Sequence, residues 1–399
     1  MNLLMIPFHD WKKCEREGFR TRDAHFMQEF SKHPLVDKLL VINRPISISE
    51  IVLLHRNWRV KKGQLLWHKQ GIYLSQVADK TFTLDIVIPE VFKPLQMKRH
   101  WTSYIFGQAK VVKSVKKALS VLSMNFNYNL FISAPLFVPL IQQLSPRFLA
   151  FDAQDNLLKH AFYRNLPSLE EYYQYCLKNA DFVSANSRET TAWFQAYRPD
   201  AVHIPNGVDK DIFNPNQVHP MPVDMAPISR PIVGYAGKMQ EMFDLSLMID
   251  LVSALPNVQF VLIGQQLNSS WMKPLWEFKN THYLGDKAYQ VLPQYLAGFD
   301  VCIIPYNLAR QHGVDPIKFY EYMAMGKPIV TTNVGNVQSF QQYPQVCIAD
   351  SPEEFVSGVR DFIRKNQGGF PIETRPLPAS ALWSTKADKI VNTMFSDDS

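Results

Sequence analysis

No acidic residue lies between Glu90 and Asp152, an interval that holds eight lysines and arginines. The first half of the chain is therefore strongly basic. Residues 1–150 carry 22 Lys and Arg against 10 Asp and Glu, whereas the remainder carries 20 against 26. With an overall net charge of only +6, such a split points to an anionic partner for the first half. Cysteine is also scarce. Cys14, Cys176, Cys302 and Cys347 are scattered, with no CxxC pair and no Cys/His spacing of a metal site. They read as reduced residues of a cytosolic protein, not as a disulfide framework. No stretch approaches the roughly 18–20 apolar residues of a spanning helix. The start, MNLLMIPFHDW, lacks the basic region, long apolar core and small-residue cleavage site of a signal peptide. Its residues 3–8 read as a first buried strand. The expectation is a cytoplasmic chain, soluble or attached to a membrane surface from outside.

A length of 399 residues exceeds one ordinary core, and two domains of roughly 150–200 residues are expected. A hydrophobic content of 46% with 20% charged residues describes a folded chain. The second half is the more legible. Apolar segments at 231–237 (PIVGYAG), 258–264 (VQFVLIG), 282–285, 300–306 (DVCIIPY), 328–332 and near Val346 alternate with helical patterns at 244–255, 288–299 and 352–365. Strands that are apolar throughout and alternate with helices form a parallel sheet covered on both faces. The first half alternates less regularly, with strands expected at 3–8, 38–43, 129–133 and 147–152, a helix at 22–31, and a short hairpin within 55–88. A Pro-rich stretch follows the Pro-Asn-Gly turn at 205–207. The expected division is a basic Rossmann-like domain at 1–205, a linker at 206–230, a second Rossmann-like domain at 231–375 and a crossing helix at 376–399.

Ligands of doubly wound sheets sit beyond the carboxyl ends of the strands. One such end is Gly234-Tyr235-Ala236-Gly237 followed by Lys238, where small residues admit a phosphate and the lysine adds charge. The pattern is no G-x-G-x-x-G fingerprint, which argues against a dinucleotide dehydrogenase, and a plain tight turn remains an equal alternative. A second is the 307–315 loop before a helix opened by Pro316, whose exposed N–H groups suit an anion. Glu321 lies further into that helix, where its carboxylate could hold vicinal ribose hydroxyls; the alternative is a surface Glu beside Lys318. In the first half, Asp155 and Asp152 follow a strand, with helix capping the competing role, and His9 ends the first strand. Asp209-Lys210-Asp211 matches a D-x-D metal motif, but its place in a turn between domains argues against it, so no metal is expected. Basic segments interleaved with aromatics occupy 55–70 and 93–122. Apolar residues at 112, 115, 119 and 122 with Lys113, Lys116 and Lys117 describe an amphipathic helix that could lie on an anionic membrane, or pack as an ordinary core helix.

The stretches HIPNGVDKDIFNP at 203–215 and PIKFYEYMAMGKPIV at 316–330 together resemble the C-terminal half of family 4-type glycosyltransferases. That resemblance, over roughly 148–383, implies a GT-B fold, in which two Rossmann-like, doubly wound parallel-sheet domains face a cleft. It implies Glu321 as the second of the family's paired glutamates, holding the ribose, while the first would fall at Gly313 and is absent. Lys238 matches the residue on the donor diphosphate, and Phe243 stands in place of a second lysine. The implied nucleotide-sugar site comprises Gly237, Lys238, Gly285, Gly313, Asp315, Lys318 and Glu321; where many members carry His-Asp, this chain reads Gln154-Asp155. The FDAQDNLLKH, ANSRET and PFHDW stretches look like bacterial cell-envelope polysaccharide enzymes, teichuronic acid biosynthesis glycosyltransferases among them. The resemblance implies transfer of a sugar from a nucleotide-diphosphate donor, expected to be a UDP-sugar. The acceptor would be a lipid-linked glycan at the inner face of the cell membrane, with retained configuration and no cofactor. A nucleotide-sugar epimerase of the same fold, or a nucleic-acid-binding protein using the basic half, are the alternatives.

Overall fold

The computed structural model describes residues 1–125, 127–310, 313–368 and 372–396. Its contacts divide the chain into two compact units, Met1–Ile204 with Ser384–Ser399, and Pro205–Trp383.

The first unit is built on strands β1 (Asn2–Ile6), β2 (Lys38–Ile42), β3 (Ile46–Ser47), β4 (Gln64–Lys69), β5 (Ile72–Ala78), β6 (Thr81–Ile88), β7 (Asn129–Ile132), β8 (Leu149–Ala153), β9 (Phe182–Ala185) and β10 (Val202–His203). They run in the order β10-β9-β8-β7-β1-β2-β6-β5-β4, with β3 beside β6. From β10 to β6 all neighbours are parallel, and β5 and β4 add an antiparallel edge. The region expected to hold a short hairpin thus contributes three strands, one of them parallel to β2. The central strands are buried on both faces, as their apolar sequences require.

The second unit contains β11 (Ile232–Ala236), β12 (Gln259–Ile263), β13 (Thr281–Tyr283), β14 (Val301–Ile304), β15 (Ile329–Thr332) and β16 (Val346–Ala349), all parallel in the order β13-β12-β11-β14-β15-β16. The reversal at β11 and β14 is the topological switch point of a doubly wound sheet.

Three expectations are corrected. The 206–230 stretch is not a free linker, because Val208, Phe213 and Met225 are buried in the second core. The helix Ala109–Val121 directs Val111, Val115, Ala118 and Leu119 into the core of the first unit. That apolar face is covered by protein, and the helix exposes Lys113, Lys116 and Lys117 together with Ala109, Ser120 and Val121. The third concerns Pro316, which is the cap residue of the helix Ile317–Ala324 and precedes its first turn. Among the described residues no helix is long and apolar enough to cross a membrane.

Candidate active site

In the second unit, the carboxyl ends of three adjacent strands are glycines whose backbones pack together. Gly237 N donates to Ile263 O (2.8 Å) and Gly264 N to Gly285 O (2.9 Å). Gly264 has φ +129°, and a Cβ there would collide with Gly237 O, so no other residue type fits without moving the loop. Sequence reasoning singled out Gly237 and Gly285 and missed Gly264, which closes the apolar run VQFVLIG as a turn residue would.

The helix Ile317–Ala324 is fixed over this floor by Tyr322. Its hydroxyl accepts from Ala236 N at 2.8 Å, at the last residue of β11. Lys318, one turn earlier on the same helix face, is thereby carried to Gly237, where a Cβ would meet its Nζ and Cε. The ammonium donates to Tyr306 Oη (2.6 Å) and Tyr235 Oη (3.0 Å) and lies 4.8 Å and 4.5 Å from the centres of those rings. A lysine so framed by phenols and glycine backbone presents a positioned cation at a strand end. Glu321, three residues on, is buried and not the exposed side chain that its local sequence also allowed. Lys238 is half-buried beside the same turn, its carbonyl accepting from Tyr235 Oη (2.8 Å). Phe243 is buried against Tyr235 at 5.0 Å between ring centres, so that position offers no charge.

Asp315 is held by hydrogen bonds within the unit. Asp315 Oδ2 accepts from Asn206 N (2.6 Å) and Tyr320 Oη (2.9 Å), and Oδ1 accepts from Asn336 N (3.2 Å). It pins the Asn206-Gly207 turn to the start of the helix and acts as a positioning residue. Gly313 has φ +75°, a left-handed conformation suited to glycine, while residues 311 and 312 of the same loop lie outside the described residues. Asp209 Oδ1 accepts from Asp211 N (2.9 Å) and so caps its own turn.

In the first unit a polar cluster gathers at the ends of β1, β7 and β8. Asp23, in the first turn of the helix Arg22–Lys32, is its centre. It accepts from His9 N (2.9 Å), Ser133 Oγ (2.5 Å) and Gln154 Nε2 (2.9 Å), and His9 Nδ1 lies 3.4 Å away. Burial alone would raise the Asp23 carboxyl, but the His9 side chain first, then Ser133 Oγ and His9 N, hold it below its usual range. His9 is shifted down by burial despite the pull of Asp23, and so is neutral near pH 7. Asp155 is pushed up to about 7, by burial first and the Asp23 charge second, with Lys13 and Arg22 offsetting part. A carboxyl that titrates near neutrality at a strand end suits acid–base work. Asp23 and Ser133 escaped the sequence reading. Asp23 looks locally like an ordinary first-turn acid.

Asp152 is a correction. Its oxygens accept from Arg22 Nε (2.8 Å), Arg22 Nη2 (2.7 Å) and Ser184 Oγ (2.7 Å), and it is fully buried. Enclosed in that ion pair, it cannot reach a substrate, and its role is to anchor the helix that carries Asp23.

Residues 230–365 match the family model described as glycosyl transferases group 1. The second unit carries a glycosyl transferases group 1 domain. The chain is 22% identical over 200 residues to the putative teichuronic acid biosynthesis glycosyltransferase TuaH of Bacillus subtilis (strain 168). That match covers 48% of this chain and about half the length (50%) of the relative. Sucrose-phosphate synthase from Thermosynechococcus elongatus superposes with a TM-score of 0.65 at 12% identity, over 99% of each chain. A trehalose-phosphate synthase from Burkholderia xenovorans, in complex with glucose-6-phosphate, does so with 0.66 at 11%, over 99% of this chain and 100% of that one. Anabaena HepE, solved in complex with UDP, gives 0.64 at 16%, over 99% and 100%. The glycosyl transferases group 1 domain thus sits within a chain of GT-B fold, with two parallel-sheet α/β units.

Proposed function

We propose that this protein transfers a sugar from a nucleotide-diphosphate donor, a UDP-sugar, to a lipid-linked cell-envelope polysaccharide acceptor. The observation that carries the reading is the Lys318 ammonium held above Gly237, one helical turn from the buried Glu321, inside the matched domain. The solved HepE complexes with UDP and with UDP-glucose support a donor of this kind, and the teichuronic acid relative supports a cell-envelope acceptor.

As the glycosidic bond breaks, the leaving diphosphate gains negative charge. Lys318 and Lys238 neutralise it together with the backbone N–H groups at the helix start, and these groups are already positioned before reaction. No metal or other cofactor is required in this scheme. Glu321 accepts hydrogen bonds from the ribose hydroxyls. In the first unit Asp155 holds or releases a proton near neutral pH, and Asp23 anchors the neutral His9. Transfer proceeds with retention of configuration, and the protein works at the inner face of the cell membrane, where a lipid-linked acceptor is found.

The test is incubation of the full chain with labelled UDP-sugars, with and without a membrane-lipid extract. Label entering the lipid fraction only when extract is present supports the proposal. Epimerised donor in the absence of extract makes the protein an epimerase of the same fold. Salt-sensitive RNA binding without affinity for uridine nucleotides would move the function to the basic unit alone.

A further inference from the structure

The helix Ile48–Leu54 is capped at its start by a reciprocal pair, with Ser47 Oγ accepting from Glu50 N (3.2 Å) and Glu50 Oε2 from Ser47 N (3.0 Å). That cap buries Ser49 and Glu50 and turns Val52, Leu53 and Leu54 outward, each more than half exposed. Phe92, Leu95 and Phe162 are also more than half exposed. A short helix ending in three exposed apolar residues has the reverse of the usual pattern, in which the outer face is polar. Exposed apolar patches of this sort mark interaction surfaces.

The patch surrounds a cavity of about 230 Å³ to which Leu53, Leu54, Leu95 and Phe162 contribute apolar walls. Three cations, Arg44, Arg56 and Lys98, line it as well. Its only carboxylate, Glu50, is already taken: Oε1 accepts from Arg44 Nη2 (2.7 Å), and Oε2 accepts from Trp101 Nε1 (3.1 Å) as well as from Ser47. Arg44 Nη1 is buried and has no hydrogen-bond partner among the described residues, an unmet donor on a side chain that lines this positively charged cavity. Partial desolvation and the neighbouring Arg44 lower the proton affinity of the Arg56 guanidinium, with Glu50 and Asp10 offsetting only part of the shift.

We infer that this surface is where the first unit meets an anionic lipid bilayer, with a lipid phosphate in the cavity and its hydrocarbon against Leu53, Leu54 and Leu95. The inference rests on the reading of a lipid-linked acceptor and gives that acceptor a place to enter. Charge complementarity selects an anionic lipid, and aliphatic walls select hydrocarbon. A nucleic acid would call for a series of exposed aromatic platforms, whereas the cavity offers Phe162 alone, its other aromatic, Trp101, being buried.

The test is co-sedimentation of the full chain with phosphatidylglycerol vesicles and with phosphatidylcholine vesicles. The wild type should favour the anionic vesicles at least tenfold, and millimolar inorganic phosphate should not release it, which separates a lipid from a free phosphate as occupant. Leu53→Glu with Leu95→Glu should abolish sedimentation, while Lys98→Glu should lower it for the anionic vesicles alone. Both sites are exposed, and an unchanged thermal melt will show that the variants are folded. Lys113→Glu, Lys116→Glu and Lys117→Glu together should leave most of the binding intact. A wild type that stays in the supernatant, inorganic phosphate that displaces it, or a triple lysine variant released as fully as the leucine variant, overturns the inference. UDP binding measured in parallel by calorimetry reports on the donor site separately, so failure here leaves the transferase reading standing and the converse also holds.

Discussion

Replacing Lys318 by methionine keeps the apolar stem of the side chain and removes only its charge and donors. In the structure the ammonium is held by Tyr306 and Tyr235 hydroxyls at 2.6 and 3.0 Å, directly over Gly237. A diphosphate reaching the glycine floor would gain a charge-assisted hydrogen bond there, worth about 1.5–3 kcal/mol. The UDP dissociation constant should therefore rise by about tenfold to somewhat over a hundredfold. Uridine, which lacks the phosphates, should bind the variant as it binds the wild type. Arginine should not substitute, because its planar fork does not fit a pocket shaped by two phenols around a compact ammonium. Isothermal titration with UDP and uridine, at low and moderate salt, measures both effects. Unchanged UDP affinity in a folded Lys318→Met protein, or an equal loss for uridine, would refute the assignment of this lysine to the diphosphate.

Three further outcomes are expected. Glu321→Ala should weaken both UDP and uridine by about 1–3 kcal/mol if its carboxylate holds the ribose; titration showing loss for UDP alone would place Glu321 elsewhere. Asp155 has its carboxyl raised from 3.8 to about 7, so the folded protein keeps a proton that the unfolded chain has lost over that range. Stability from this group therefore falls as pH rises from about 4 to 7 and levels off above. Asp155→Asn should gain stability relative to the wild type across the same window, as read by denaturant unfolding at pH 5 and pH 8, while losing transfer activity; a constant difference would contradict the raised value. Arg22→Met strands the fully buried Asp152 carboxylate and should cost about 3–5 kcal/mol, seen as a lower melting temperature, with partial recovery when Asp152→Leu is added.

The second unit was legible because its strands are short apolar runs, two of them closed directly by glycine, a pattern that local sequence alone sets. VQFVLIG and DVCIIPY correspond to β12 and β14. The first unit resisted where structure depends on distant partners. The region 55–88 mixes Lys, Gln and His with apolar residues, and two of its strands, β4 and β5, lie largely exposed or half-buried at the sheet edge, so alternation is blurred. Asp23 carried no local sign of its role, because its donors come from 14, 110 and 131 residues away. The helix Ala109–Val121 shows the converse failure. A face packed on protein and a face lying on lipid have the same period, so periodicity could not choose between them.

The division of the chain has a consequence for how it is made. The first unit takes in Ser384–Ser399, where Ile390, Val391 and Met394 are fully buried and Met394 O accepts from Asn129 Nδ2 at 3.3 Å. The whole of the second unit is synthesised between that piece and the rest. A nascent chain thus carries an unfinished first unit, with apolar surface awaiting its cover, while the second unit is still emerging. The second unit is contiguous and can close as it emerges. Maturation of this protein therefore runs against chain order: the unit begun first is the last to be completed.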